Sequence, residues 1–188
     1  MSAEPLPSPS EEQLKAIQGF QNGYNLVINS VAGSGKTTTL LWLCVVCIRD
    51  FKSNCLLLTY NKALQIEIQN KLKLYGLDSD CGVYTYHGIA SKLFKHPIHN
   101  DVLLRSFLDS PSPREPLKIP DVILIDEVQD MNPDYCRLIN CIVSKGKLLG
   151  LVGDKRQCIN DYAGADPKYL INPANYFDTG RPWKEIFL

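Results

Sequence analysis

Short apolar runs alternate with segments of helical periodicity along most of this chain. The apolar runs are rich in Leu, Ile and Val and are bounded by polar or turn-forming residues, which predicts five buried strands. These strands are expected at 25–29, 55–59, 82–85, 122–125 and 147–152. Continuous apolar strands that alternate with helices are typical of a parallel sheet with helices on both faces. The pattern therefore predicts an α/β fold.

Five helices are predicted around these strands. The first begins after Ser10, a plausible N-cap, and the others are expected near 36–49, 61–74, 87–94 and 133–143. The 36–49 helix is apolar on nearly every side, so we expect it to be buried on more than one face. Residues 1–9 are predicted to form a flexible leader, 109–120 a loop, and 10–188 one domain.

Composition narrows the class of protein. The chain has 188 residues, of which 45% are hydrophobic and 21% charged, as in ordinary globular domains. The sequence contains no apolar run of about 18 residues and no secretory signal, so we expect no membrane partner and an intracellular, nuclear or cytoplasmic location. Twenty basic residues balance twenty acidic ones. Any contact with nucleic acid must therefore come from a local surface.

The chain has seven cysteines and three histidines. Cys44 and Cys47 have the spacing of a redox or metal pair, but they lie inside an apolar run with no second pair or histidine at ligand spacing. We interpret the cysteines as reduced, mostly buried apolar groups. His96 and His99 lie in a Pro-containing turn and are interpreted as surface residues.

A glycine-containing loop follows the first predicted strand and opens the 36–49 helix, as a phosphate-binding loop requires. Gly33 and Gly35 allow the sharp turn that points backbone amides at phosphate oxygens, and the helix dipole adds positive charge. Lys36 supplies a cation for the β- and γ-phosphates, and Thr37 a hydroxyl for Mg²⁺. Ser30 stands where the general pattern has Gly. The residues predicted to bind ATP here are Ala32, Gly33, Ser34, Gly35, Lys36, Thr37 and Thr38.

Polar groups also follow the fourth and fifth predicted strands. Asp126 is predicted to hold Mg²⁺, and Glu127 to orient and deprotonate the attacking water. Gln157 follows the predicted 147–152 strand. The end of that strand should lie beside the end of the 122–125 strand, which Asp126 and Glu127 follow. Its amide can donate and accept, so it can sense a γ-phosphate. Lys36, Glu127 and Gln157 are thus the catalytic candidates.

These motifs together resemble the first motor domain of superfamily 1 helicases of the UvrD/Rep type, in a eukaryotic or large-virus subgroup. The resemblance rests on five blocks in the family's order, together with a weak match around Gln13. The blocks are Ala32–Thr37, Leu58–Ala63, Val83–His87, Asp126–Asp130 and Gly153–Gln157. It implies a RecA-like P-loop NTPase fold that uses ATP and Mg²⁺ to move along single-stranded DNA, with RNA as a possible alternative.

The resemblance also assigns further residues. Gln13 would contact adenine, although it is equally placed to complete a capping box with Ser10, and both roles can hold. Aromatic rings stack on bases and polar groups contact phosphates, yet Tyr60 and Tyr162 also fit half-buried core positions. The implied single-strand contacts are Thr59, Tyr60, Asn61, His87 and Tyr162. The implied coupling residues are Gln129, Asp130 and Asp154.

The sequence departs from the family in three ways that change the activity expected of this chain. The segment 87–120 is too short for the family's usual inserted domain, Ala163 replaces a usual Arg, and the chain ends at Leu188. We therefore expect ATP binding with little turnover in the isolated chain, and a second RecA-like lobe or partner chain over the exposed apolar 183–188 end. One alternative is a nucleotide-gated binding module without enzymatic activity, or a truncated helicase product, that docks on a partner. A less favoured alternative is a small-molecule kinase.

Overall fold

The computed structural model describes residues 4–31, 33–110, 117–157 and 165–188. The strands are β1 (Asn25–Asn29), β2 (Cys55–Thr59), β3 (Cys81–Thr85), β4 (Val122–Ile125), β5 (Leu148–Gly153) and β6 (Trp183–Phe187). The helices are α1 (Glu11–Gln21), α2 (Lys36–Arg49), α3 (Lys62–Leu74), α4 (Tyr86–Phe94), α5 (Asp101–Asp109), α6 (Pro133–Ile142) and α7 (Lys168–Ile171). Single 3-10 turns lie at Val128–Asp130 and Pro173–Asn175.

All six strands form one parallel sheet in the order β3-β2-β4-β5-β1-β6. One apolar layer packs α1, α2 and α3 against the sheet, and a second packs α4, α5 and α6 against the opposite face. The predicted α/β P-loop NTPase fold is confirmed. Because β5 lies between β1 and β4, the segments that follow these three strands meet at one edge of the sheet.

Sequence reasoning missed three elements, α5, α7 and β6. The 183–188 end was expected to be an exposed apolar surface, and this is wrong for much of it. β6 pairs with β1 along its whole length, from Asn25 opposite Trp183 to Asn29 opposite Phe187. Ile186 is buried in the core, whereas 61% of Phe187 is exposed. Five residues with two charges carry too little pattern to distinguish an edge strand from a bare terminus.

Polar side chains at the helix starts explain where several helices begin. Ser10 and Gln13 form a reciprocal capping box on α1. Asn61, Asn100 and Asn132 each accept a hydrogen bond from the backbone N–H three residues later, at the starts of α3, α5 and α6. These local bonds satisfy amides that would otherwise lack partners, and so they stabilise these helix starts.

The described part of the leader contacts the domain. The Glu4 N–H donates to the Leu74 carbonyl at 3.1 Å, and the Trp42 indole donates to the Pro7 carbonyl at 3.1 Å. Leu6 packs against the α1–α2–α3 layer. Among the described residues, every helix is too short or too polar to cross a bilayer.

Candidate functional site

The carboxyl edge of the sheet gathers the three polar segments that the sequence singled out. The glycine-containing loop follows β1, Asp126 and Glu127 follow β4, and the turn 154–157 follows β5. Because β5 pairs with both β1 and β4, the three segments are neighbours in space. Ala32 lies outside the described residues.

The loop before α2 has the backbone expected of an anion cradle. Gly33 and Gly35 have φ of +79° and +92°, values that side chains with a Cβ rarely adopt. Gly35 is the N-cap of α2, and it supplies no side chain to cap the helix. The first amides of α2 can therefore point at a ligand together with the positive end of the helix dipole. Ser34, Thr37 and Thr38 are half-buried beside them.

Lys36 and Glu127 form an ion pair across the end of β5. Lys36 Nζ donates to both carboxylate oxygens of Glu127 at 2.8 Å, and each side chain is less than one fifth exposed. This bidentate contact joins the first residue of α2 to the second residue after β4. An incoming polyanion can compete with Glu127 for Lys36, because both offer negative oxygens.

Asp126 sits deeper than Glu127. Its side chain is buried and its Oδ1 accepts the Glu127 N–H at 2.9 Å. Burial, followed by the nearby Glu127 carboxylate, raises the pKa of Asp126 to about 7, and the charge of Lys36 opposes this shift. A buried carboxyl group that is costly to ionise is suited to a divalent cation, which offsets its charge.

Glu127 has a left-handed backbone, with φ of +51°. Such a conformation is uncommon for a non-glycine residue and costs of the order of 1 kcal/mol. It is followed directly by the Val128–Asp130 turn, which is held by Glu127 and Val128 carbonyls. Through this strained backbone just after β4, Glu127 directs its carboxylate to Lys36, while the Asp126 side chain stays buried.

Gln129 links the acidic segment to β5. Its Nε2 donates to Glu127 Oε2 at 2.6 Å, and its Oε1 accepts the Asp154 N–H at 3.0 Å. The chain Lys36–Glu127–Gln129–Asp154 therefore runs through all three segments. Gly153 is required beside it, because a Cβ there would lie 2.4 Å from Gln129 Oε1.

The remaining predicted coupling and catalytic residues lie around this chain. Asp154 is buried, and its Oδ1 accepts the Arg156 N–H at 2.9 Å. The half-buried Gln157 enters the same turn through its backbone N–H, which donates to the Asp154 carbonyl at 3.1 Å. Within the described part of the chain, the hydrogen-bond network that begins at Lys36 includes the Glu127 and Gln129 side chains but not the side-chain amide of Gln157. Asp130 is half-buried in the turn after Glu127.

Gln13 connects α1 to the glycine-containing loop in addition to capping α1. Its Nε2 donates to the Gly35 carbonyl at 3.3 Å and to Thr39 Oγ1 at 3.1 Å, while its Oε1 accepts the Ser10 N–H at 2.9 Å. The capping role is thus observed. The adenine contact stays a prediction, and Gln13 lies beside the loop as that role requires.

The predicted single-strand contacts differ in accessibility. Thr59 is fully buried, and its hydroxyl finds no partner among the described residues, so this side chain does not reach the surface. Asn61 is exposed at the start of α3, where it caps the helix. Tyr60 is half-buried and edge-on to the Tyr135 ring, 6.3 Å away. Tyr162 lies outside the described residues.

His87 belongs to a polar cluster that sequence reasoning missed. Its Nε2 lies 2.9 Å from Asp101 Oδ1, and the Tyr135 hydroxyl donates to the same oxygen at 2.8 Å. The Tyr135 ring stacks on the buried Tyr86 ring at a centroid distance of 4.3 Å. Asp101 and Tyr135 come from α5 and α6, outside every recognised block, so no sequence signal linked them to His87.

Comparison with known proteins supports this picture. Residues 13–163 match the family model described as "AAA domain". No characterised protein matches the chain by sequence. Among solved structures, the UvsW helicase from bacteriophage T4 superposes with a TM-score of 0.55 at 13% identity, covering 98% of this chain and 62% of that one. At this identity the likeness shows a shared fold alone, and this chain spans somewhat less than two thirds of the length of the phage chain.

Proposed function

The chain belongs to the AAA domain family, and from that premise we propose that it binds ATP with Mg²⁺ and hydrolyses it as the first motor domain of a UvrD-like superfamily 1 DNA helicase. The observation that carries this proposal is the hydrogen-bond network that connects Lys36, Glu127, Gln129 and the Asp154 N–H. It joins the phosphate-loop helix, the acidic strand and β5 at one edge of the sheet.

In this proposal the loop amides and Lys36 bind the phosphates of ATP. Asp126 and the Thr37 hydroxyl would hold Mg²⁺, which when bound neutralises phosphate charge during γ-phosphoryl transfer. The negative γ-phosphate draws Lys36 away from Glu127. The freed Glu127 carboxylate then orients the attacking water and accepts its proton.

Gln129 gives the site a route for reporting that change. When Glu127 releases Lys36, the hydrogen bond from Gln129 Nε2 to Glu127 is altered. The other hydrogen bond of the Gln129 amide, which its Oε1 accepts from the Asp154 N–H, lies directly after β5. The turn that follows β5 carries Gln157, which we propose contacts the γ-phosphate. Hydrolysis would thereby be coupled to the segments that follow the sheet.

Single-stranded DNA is the proposed track, on the resemblance of the Leu58–Ala63 and Val83–His87 blocks to family motifs. Asn61, His87 and Tyr60 lie at the carboxyl ends of β2 and β3, on the same sheet edge as Lys36. With Thr59 buried, we assign the contact to these three residues and to Tyr162. A second RecA-like lobe would complete the motor.

The test is an ATPase assay on the purified chain with and without single-stranded DNA, paired with an ATP-binding measurement. We expect ATP to bind, and turnover to be low but stimulated by DNA and dependent on Mg²⁺. Lys36→Ala should weaken ATP binding by about 100-fold or more, because a charge-assisted contact to phosphate is lost.

Lys145→Ala is the matched control, since Lys145 is exposed and precedes β5, at the opposite edge of the sheet from the loop. It should leave binding and turnover unchanged. Binding without any turnover would favour the nucleotide-gated binding module instead. Phosphorylation of a small acceptor, or equal ATP affinity in wild type and Lys36→Ala, would contradict the proposal.

A further inference from the structure

Four cysteines converge at the opposite, amino edge of the sheet. Cys44 and Cys47 lie one turn apart on α2, so they share a face of that helix. Cys55 begins β2 and Cys81 begins β3, and the two are register partners in the parallel pair. The exposed fraction of each of the four is 5% or less. The sequence placed each of them in the core but gave no sign that they meet.

The sulfur atoms are as close as ligands of one ion. The Cys44 and Cys81 Sγ atoms are 3.6 Å apart, and those of Cys44, Cys55 and Cys81 all lie within 4.8 Å of one another. A Zn–S bond of about 2.3 Å places thiolates about 3.8 Å apart at a tetrahedral centre. The observed spacing needs only small side-chain adjustments to reach that arrangement.

The surroundings favour a soft ion. The sulfurs belong to the apolar layer that includes Leu57, Ile68, Leu72 and Val83, so no oxygen ligand is offered from these neighbours. Thiolates in such surroundings select Zn²⁺ or Cu⁺ over Mg²⁺ or Ca²⁺.

We propose that Cys44, Cys55 and Cys81 form a structural site for a thiophilic d¹⁰ ion, Zn²⁺ or Cu⁺, with Cys47 as the fourth ligand for Zn²⁺. Each thiol that binds the ion releases its proton to solvent, and no redox change is needed. The ion would connect α2 to β2 and β3. The site lies about 12 Å along α2 from Lys36, so its role is stability rather than chemistry at the phosphate loop.

The test uses the full chain, refolded under reducing conditions with Zn²⁺, with Cu⁺ or with neither, and then desalted. We expect about one equivalent of an ion per chain by elemental analysis and native mass spectrometry. The loaded chain should melt about 5–10 °C higher than the metal-free chain. Whichever ion survives competition with a chelator identifies the class that the site takes. Co²⁺ loading should give the near-ultraviolet charge-transfer absorption of thiolate ligation in the wild-type chain.

Cys81→Ala should retain less than a tenth of the ion and lose the melting shift. Cys136→Ala is the matched control, because Cys136 is a buried cysteine in the opposite apolar layer. It should lose stability but keep the ion. The site is disproved if wild type retains neither ion and shows no thiolate absorption with Co²⁺, or if the two variants lose the ion equally.

Discussion

Two regions along one helix, α2, differ in almost every physical property. At its first residue, Lys36 joins a network of carboxylates and amides at the carboxyl edge of the sheet, with a strained Glu127 beside it. About 12 Å further along, Cys44 and Cys47 meet other cysteines in an apolar layer. The strands run past both regions, so the same sheet supports a polar network at one edge and a buried cysteine cluster at the other.

The difference shows how a parallel sheet separates chemistry from stability. Charged groups concentrate where strands end and helices begin, because there the backbone amides and the helix dipole can share a ligand's charge. The cysteines at the amino edge are buried among apolar side chains. We therefore expect substitutions in the polar network at the carboxyl edge to change activity and substitutions of these cysteines to change the melting temperature.

Glu127→Gln should produce the largest effect that separates the two edges. The amide keeps the size of the side chain but cannot accept a proton, so turnover should fall about 100-fold to 10,000-fold. ATP binding should be retained or tightened, because Lys36 loses its competing carboxylate. Single-turnover kinetics with an ATP-binding assay check this result. A variant with normal turnover would remove Glu127 as the base.

Asp126→Asn should stabilise the nucleotide-free chain in a pH-dependent way. The folded-state pKa of Asp126, about 7, lies above the ordinary value of 3.8. The folded state therefore holds the proton more tightly, and the destabilisation by this group grows from about pH 4 to pH 7 and is complete above pH 7. The variant should be about 2–4 kcal/mol more stable than wild type at pH 8, with little difference at pH 4.

Urea unfolding in the presence of a chelator, at pH 4, 6 and 8, measures this difference. Asp78→Asn, at an exposed position outside the site, is the control and should follow the wild-type curve at each pH. A stability difference for Asp126→Asn that does not change with pH would contradict the buried-carboxyl explanation.

Gly153→Ala should destabilise the chain by about 1–3 kcal/mol through crowding at the polar edge. The added Cβ would lie 2.4 Å from Gln129 Oε1 and 2.7 Å from Leu170 Cδ1. Turnover should fall as well, since Gln129 must move. Gly82→Ala on β3 is the control, because its Cβ would meet only the Tyr84 ring, at 3.1 Å, and that side chain can shift. Thermal unfolding of both variants tests the contrast.

Thr59→Val should have the smallest effect on stability of these variants. It also tests whether Thr59 contacts single-stranded DNA. The Thr59 hydroxyl is buried without a hydrogen-bond partner among the described residues. Replacing it with a methyl group of similar shape should raise stability by about 0.5–1 kcal/mol. DNA-stimulated turnover should be unchanged, because the side chain does not reach the surface. Loss of stimulation with an intact fold would restore Thr59 as a strand contact.

Several features followed from the sequence because their causes are local. Apolar runs between turn residues predicted five of the six strands to within one or two residues, and capping side chains fixed helix starts such as those after Ser10 and Asn61. The glycine positions before Lys36 predicted the left-handed turns that the structure contains. Helix α5 was missed because no element was predicted between the 87–94 helix and the 109–120 loop.

The sequence by itself determined the α/β pattern, the glycine-containing loop and the presence of acids after β4, since each depends on residues adjacent in the chain. The tertiary structure decided which groups meet. It paired Lys36 with Glu127 across β5 and bonded Gln129 to both Glu127 and Asp154. It also buried Thr59, made an edge strand of 183–187 and brought Cys44, Cys55 and Cys81 together. Such contacts depend on strand order and register, and these are set by the packing of distant segments, which no local pattern records.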